Sequence, residues 1–466
     1  MISLALIFLI FCTSPAINNT CALDSQRIVI LILSQGNAFH VAHAELLKKD
    51  VERQAIDMGV TSVEVVLSHK LNINGSWTIG PLLPHLSKEY SESEWFFFCL
   101  ENTVIRLRRL LHLFTTFNTS QNQWLSHALY DKDPTIIHHF AEQSKKFKYP
   151  NVASGFAITA PLLKSLAERV YKGEGPSGDF TIDVSYEFAT FVFDEGRGVR
   201  LKHVPEFCVV SSEDCATYPR FFHPCSESIS PENVFIAVKT CHKYHNDRIP
   251  VILRTWAKYA SNIGFFTNEA DKNLSNAYIV PNTDHGHCAK SHSILRIAND
   301  LMQKKSFDWL IISDDDTIFS FSRLLRLLTC YNPSEAIALG ERYGFRVWNN
   351  NYLTGGYDYL TGGAGLALSA TLVQRLVQPQ ICDCPSPSTP DDMYLFGACF
   401  PRVGVLPTHS PLFHQARPID YATAYLASQE PISFHKFWMI DPDKVYEEWF
   451  AESDRSFFSK TAHIEL

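Results

Sequence analysis

A chain that carries two imperfect copies of one pattern can adopt only a fold that satisfies that pattern twice. The run Trp95 to Thr103 reads like Trp309 to Thr317, and each is followed by an Arg- and Leu-rich amphipathic stretch, Arg106 to Phe114 and Arg323 to Leu328. Three further matches keep the same order: Ser154 to Thr159 with Ala364 to Ser369, Asp183 to Phe188 with Asp391 to Phe396, and His203 to Cys208 with His409 to His414. The offset drifts only from 214 residues at Trp95 and Trp309 to 206 at His203 and His409. Apolar strands, a glycine turn, aromatics and a proline survive in both copies. Three chemical features survive only in the second: Asp314-Asp315-Asp316 stands against Leu100-Glu101-Asn102, Asp392 against Val184, and His414 against Cys208. Their joint loss implies one joint purpose, so the second copy is expected to be catalytic and the first a degenerate, non-catalytic one.

Each copy alternates strands and helices. Arg27 to Leu33 is an apolar strand, Ala38 to Gly59 reads as a helix, Val63 to Leu67 is a second strand, and Asn233 to Lys239 restarts the pattern. That alternation predicts an α/β architecture built on a largely parallel sheet. With 466 residues the chain exceeds one ordinary core. The stretch Phe207 to Pro231, rich in Cys, Pro, Ser and His, is the expected linker, dividing 23–228 from 229–462. A net charge of −8 without a basic cluster excludes a nucleic-acid surface.

Several features point to one compartment. Met1 to Ala22 resembles a secretory signal peptide, ending at Ala16 or Ala22, and no stretch reaches the length of a stable membrane span. Ten cysteines follow Ala22, an even number that suits a disulfide framework, and sequons stand at Asn74, Asn118 and Asn273. The ending His463-Ile464-Glu465-Leu466 resembles an endoplasmic reticulum retrieval signal. The expected location is the endoplasmic reticulum lumen.

The acidic triplet ends an apolar run, Trp309 to Ser313, and its oxygens suit Mg²⁺ or Mn²⁺; adjacent acids repel one another unless a cation offsets them. The competing reading is a cap for the helix that follows, Phe319 to Leu328. Asp316 is the preferred direct ligand, with Asp314 also near the metal but facing a nucleotide, and Asp315 beside the donor. His414 is the expected nitrogen ligand, against the alternative of a core histidine, and a mixed shell favours Mn²⁺. Asp391 reads as a helix cap, as Asp183 does in the first copy, which leaves Asp392 as the surplus carboxylate and candidate base. Lys239 and Thr240 end a strand where α/β sheets bind ligands. Arg248 and Arg254 suit a diphosphate or a solvated face. Gly362 and Gly363, within Thr361 to Gly365, allow close approach of a donor or make a plain tight turn; the spacing fits neither a dinucleotide motif nor a P-loop.

Several ordered motifs over some 180 residues resemble the Fringe-type β-1,3-glycosyltransferases: Ala-Val-Lys-Thr at 237–240, Arg-Thr-Trp at 254–256, the triplet at 314–316, Thr-Gly-Gly-Ala-Gly at 361–365, Pro-Asp-Asp at 390–392 and Ser-Pro-Leu-Phe-His at 410–414. The run Thr408 to Pro418, the run Pro431 to Lys436, the duplicated first half and the terminus are most similar to the branch that glucosylates O-linked fucose on thrombospondin type 1 repeats. Fringe proteins carry a second histidine where this chain has Ala416, which leaves His414 the better metal candidate and His435 the fallback. The resemblance implies two tandem GT-A-like (Rossmann-like) domains, UDP-glucose as donor, Mn²⁺ as cofactor, O-fucosylated repeat proteins as partners, and inversion with Asp392 as base. Two alternatives stay open: a relative using another UDP-sugar, and a non-catalytic lectin or folding factor on the same fold.

Overall fold

The computed structural model describes residues 26–140, 147–226, 228–348 and 355–462; the expected signal segment 1–22 and the terminal 463–466 lie outside the described residues. The chain divides into two compact units. One comprises Met1–Phe221, Arg346–Gly355 and Ala422–Ser428, and the other Phe222–Phe345, Gly356–Tyr421 and Gln429–Leu466. The two short excursions of the chain back into the first unit are invisible in the linear sequence.

In the first unit, β1 (Ile28–Leu33) is six consecutive buried residues, the pattern of a strand covered on both faces. It leads into α1 (Ala38–Met58), which Asn37 caps by accepting from the Phe39 amide and which Gly59 ends at φ 67°. The other elements used below are β2 (Val63–Leu67), β3 (Trp95–Leu100), β4 (Thr103–Ile105), α2 (Leu107–Thr115), β5 (Trp124–Ser126), β6 (Phe156–Thr159), α3 (Ala160–Tyr171), β7 (Lys202–His203) and β8 (Thr217–Pro219). The main sheet runs β7-β5-β6-β3-β1-β2, with β1 parallel to β2 and β3, and β6 antiparallel to β3. Beside it, β4 pairs antiparallel with β8.

The second unit contains β9 (Val234–Lys239), β10 (Ile263–Thr267), β11 (Ala277–Ile279), α4 (Cys288–Lys305), β12 (Trp309–Asp314), β13 (Thr317–Phe319), α5 (Phe321–Leu328), β14 (Ala338–Gly340), β15 (Leu366–Ser369), β16 (Thr408–His409) and β17 (Ser433–His435). Its sheet runs β11-β10-β9-β12-β15-β14-β16, and β13 pairs antiparallel with β17. Phe235, Ala237, Leu310, Ile312, Leu366 and Leu368 line one face of this sheet and share a core with Ile294, Leu295 and Ala298 of α4.

The repeat seen in sequence is a repeat of register. Trp95 lies opposite Ile28 and Thr159, and Trp309 lies opposite Val234 and Ser369. Thr103 accepts from the Leu100 amide and donates to the Ala153 carbonyl; Thr317 accepts from the Asp314 amide and donates to the Gly363 carbonyl. The chain thus leaves the two central strands by the same turn.

The structure overturns the capping reading of the acidic triplet. Ser320 caps α5 by accepting from the Arg323 amide, and the buried carboxylate of Asp454 takes the Ser320 hydroxyl and the Ser322 amide. Among the described residues, disulfides join Cys208 to Cys215, Cys225 to Cys330 and Cys288 to Cys384. Among them, too, no helix is long and apolar enough to cross a membrane.

Candidate active site

Parallel strands present their C-terminal ends to a common crevice, where α/β sheets hold ligands. Here β9 and β12 end side by side, with Lys239 in register with Asp314. The largely buried Lys239 ammonium lies 3.0 Å from Asp314 Oδ1 and 3.0 Å from Asp391 Oδ2. Burial pushes its pKa down, but the two carboxylates more than offset that and the pKa rises. Lys239 is a positive bridge between two carboxylates.

The three acids of the triplet have different surroundings. Asp315 is 4% exposed; Thr240 donates to it at 2.7 Å and Arg248 Nη1 lies 2.5 Å from its other oxygen. Thr240 and Asp315, expected beside the donor, are joined by that hydrogen bond at the end of β9 and β12. Asp316 Oδ1 lies 3.1 Å from His435 Nε2, and its Oδ2 lies 3.0 Å from Arg248 Nη1. Burial raises its pKa, but the His435 hydrogen bond, its charge and Arg248 bring the net shift below the usual value. His435 Nε2 also lies 3.8 Å from Asp314 Oδ2.

Asp314, Asp316 and His435 each offer one ligand atom, all within 4.8 Å of one another. The expected nitrogen ligand was His414, and the structure puts it elsewhere. His414 is 1% exposed, its Nδ1 lies 3.1 Å from the Leu412 and Ser433 carbonyls, and its ring packs on Tyr421 and Phe434. Burial presses its pKa to about 3, as befits a neutral core histidine. The fallback, His435, occupies the metal-side position. Its Nδ1 faces the Gln415 carbonyl at 3.1 Å, an arrangement that leaves Nε2 for a cation. The donor set of two carboxylates and one imidazole fits Mn²⁺. The reason lies in the strand pairing. His435 faces Thr317 across β13 and β17, and the residue facing Thr103 in the first unit is Pro219. Extending the sequence repeat from His409 to His414 as far as Thr217-Tyr218-Pro219 against Ser433-Phe434-His435 exposes that loss.

Gly363 serves the same histidine. A Cβ there would fall 2.4 Å from the His435 ring, so the Thr361 to Gly365 segment wraps the imidazole. A Cβ at Gly362 would lie 3.8 Å from Lys239 Nζ, an ordinary contact on the crevice side. Arg254 is not part of the crevice: its guanidinium forks onto Asp443 at 2.7 and 2.5 Å at the surface.

The second pair of carboxylates sits across Lys239. Asp391 was expected to cap the following turn, as Asp183 does by accepting from the Ser185 and Tyr186 amides. It makes no such cap. Its carboxylate takes Lys239 and the Ser291 hydroxyl from α4, and its pKa is lowered: burial pushes upward, but Lys239 and Ser291 outweigh it. Asp392 is partly exposed and accepts from the Met393 amide at 2.8 Å. Burial, then the charge of Asp391, raise its pKa to about 6. Two adjacent carboxylates with opposite shifts read as an anchor and a base. Ser291 and the buried Lys290, which donates to the Thr240 carbonyl, escaped the sequence reading because single Ser and Lys residues in a helix carry no spacing signal.

Residues 229–461 match the Fringe-like family model. The chain is 46% identical to a mouse (Mus musculus) β-1,3-glucosyltransferase over 93% of its own length and 88% of the relative's, and 45% identical to a human (Homo sapiens) β-1,3-glucosyltransferase over 93% and 86%. A more distant relative is mouse lunatic fringe, a β-1,3-N-acetylglucosaminyltransferase, at 28% identity over 36% of this chain and 47% of that protein. Together with the crevice of carboxylates, this similarity over nearly the whole length makes the chain a glycosyltransferase of the Fringe-like family.

Proposed function

We propose that the chain is an inverting β-1,3-glucosyltransferase that moves glucose from UDP-glucose to the 3-hydroxyl of O-linked fucose on thrombospondin type 1 repeats in the endoplasmic reticulum lumen. The observation that carries the reading is Asp392, a carboxyl poised near 6 and partly open to solvent. Asp391, Lys239 and Asp314 connect it to the acids of the crevice. The likeness to β-1,3-glucosyltransferases over nine-tenths of the chain supports glucose as the transferred sugar.

In this reading Asp392 takes the proton of the acceptor hydroxyl as that oxygen attacks the anomeric carbon, and one displacement inverts the centre. Asp314, Asp316 and His435 would hold the divalent ion, which when bound would supply Lewis-acid neutralisation of the departing diphosphate. Arg248 adds positive charge on the same side while orienting Asp315 and Asp316. Lys239 keeps Asp391 ionised, and Asp391 in turn anchors the start of the segment that carries the base.

The first unit is read as a degenerate GT-A-like copy, supported by its matching strand register and its lost carboxylates. The division into 23–228 and 229–462, the signal peptide and the retrieval ending belong to the same proposal. The test is a screen of UDP-sugars against fucosylated and bare repeats. Transfer of glucose to the fucosylated repeat alone is expected, and Asp392→Asn should reduce it by about 10³-fold or more with the fold intact. Preference for another UDP-sugar, or normal turnover by Asp392→Asn, overturns the corresponding part.

A further inference from the structure

A second group of metal-ligating side chains lies outside the crevice, on the loops that follow β9 and β10. After Lys239 the chain turns through His242 and Tyr244 to His245, and after Thr267 it passes Glu269 and Asp271. The two loops are tied together where the His242 amide donates to the Asn268 side-chain Oδ1 at 2.9 Å. His245 is 6% exposed; its Nδ1 lies 3.0 Å from Asp271 Oδ2 and its Nε2 lies 2.8 Å from Thr267 Oγ1. The more exposed His242 ring stands 5.3 Å from that of His245, and its Nδ1 is 3.8 Å from Glu269 Oε2. One ligand atom each from His242, His245 and Asp271 falls within 4.8 Å of the other two.

We infer that His242, His245 and Asp271 form a zinc site. The donor set differs in kind from that of the crevice: two imidazoles and one carboxylate suit Zn²⁺, whereas two carboxylates and one imidazole suit Mn²⁺. Tetrahedral zinc with bonds of about 2.0–2.1 Å sets its ligands about 3.3 Å apart. The 3.0 Å between His245 Nδ1 and Asp271 Oδ2 is close to that edge, so a small outward movement admits the ion. The ligating form of His245 is the tautomer with its single proton on Nε2, so that Nδ1 is bare for the ion and Nε2–H donates to Thr267 Oγ1, the outer hydrogen bond that orients a ligating histidine. Water or Glu269 completes the shell. Occupancy ties the end of β9 to the end of β10 and stiffens the turn that carries Arg248, whose guanidinium lies over the Tyr244 ring.

The site is tested on the full-length chain, stripped of metal and titrated with Zn²⁺ in saturating Mn²⁺. The wild type is expected to bind one zinc equivalent more than His242→Ala, and Asp271→Asn to lose the same equivalent, each with more than about a 100-fold loss of affinity. His242 is exposed, so its alanine variant should keep the native circular dichroism. X-ray absorption of the zinc-loaded wild type should show two imidazoles. Equal zinc binding by wild type and His242→Ala, or a zinc shell without imidazole pairs, overturns the assignment and leaves His245 as a buried histidine bracing two loops. Because the readout is a difference between variants, it stands whether or not the crevice acts as proposed.

Discussion

At the level of single residues, the two copies explain why the acids of one triplet cannot share one role. Glu101 stands where Asp315 does, and it too keeps a partner: His40 Nδ1 lies 2.5 Å from Glu101 Oε1, as Arg248 Nη1 lies 2.5 Å from Asp315 Oδ1. The middle position keeps a hydrogen-bonded carboxylate in both units, while the outer positions are Leu100 and Asn102 in the first. Asp315→Asn should therefore lower stability by about 1–3 kcal/mol, since it leaves a largely buried network short of a charge, as well as impairing transfer. Asp316→Asn should cost transfer and divalent-ion response with a smaller change in Tm. The two histidines divide the same way. His435→Ala should raise the Mn²⁺ concentration needed for half-maximal activity by at least about tenfold, whereas His414→Ala should lower Tm and leave that concentration unchanged; titrating Mn²⁺ against both variants decides it. As the proposed base, Asp392 should set the acid limb of the pH profile. A carboxyl raised to about 6 is protonated below that pH and useless as a base, so kcat/KM should rise with pH through about 6 and level above it. An acid limb near 4 would remove Asp392 from that role.

At the level of elements, Asp392, the proposed base, rides on a loop docked to the first turn of α4. The Asp391 amide donates to the Gly286 carbonyl at 2.7 Å, the Cys288 amide to Thr389 and the Ala289 amide to Pro387. The Cys288–Cys384 disulfide and the Ser291–Asp391 hydrogen bond add to that docking. Gly286 permits it: φ is +72°, and a Cβ would lie 1.9 Å from the Ser388 carbonyl oxygen. Ser291→Ala removes a partner from a buried carboxylate and should cost about 1–3 kcal/mol of local order, read as a fall in kcat at nearly constant KM for UDP-glucose. An equal rise in KM with kcat unchanged would place Ser291 in donor binding instead. The elements themselves were legible in sequence, because buried parallel strands such as β1 and β12 are continuous apolar runs and the acids stand at the end of one. What stayed hidden depended on pairing across distance. Nothing local to His435 announces that β17 sets it against Thr317, and nothing local to Arg254 announces that Asp443 takes its charge.

At the level of the whole molecule, two units share one strand register and one turn after the central strand, yet only one retains outer carboxylates and a facing histidine. The sequence repeat made that division readable before any coordinates, since it compared like positions within one chain. It faltered where the alignment stopped short, so that His414 stood in for His435. The first unit keeps what a fold requires: the buried Trp95 and Phe97 against Phe114, the Thr103 turn and the His40–Glu101 pair. It lacks the residues to which the proposed chemistry is assigned, with Leu100, Asn102, Val184 and Pro219 in place of Asp314, Asp316, Asp392 and His435. A change that loosens the first unit should then act on stability and not on turnover. Glu101→Ala strips the partner from the buried His40 ring and is expected to lower Tm by several degrees, while kcat per folded molecule stays within about twofold of wild type. The matched change in the second unit, Asp315→Ala, should lower both. If Glu101→Ala instead cuts kcat more than about tenfold at a temperature where the variant is folded, the first unit takes part in the reaction, and its lost carboxylates mark a change of task.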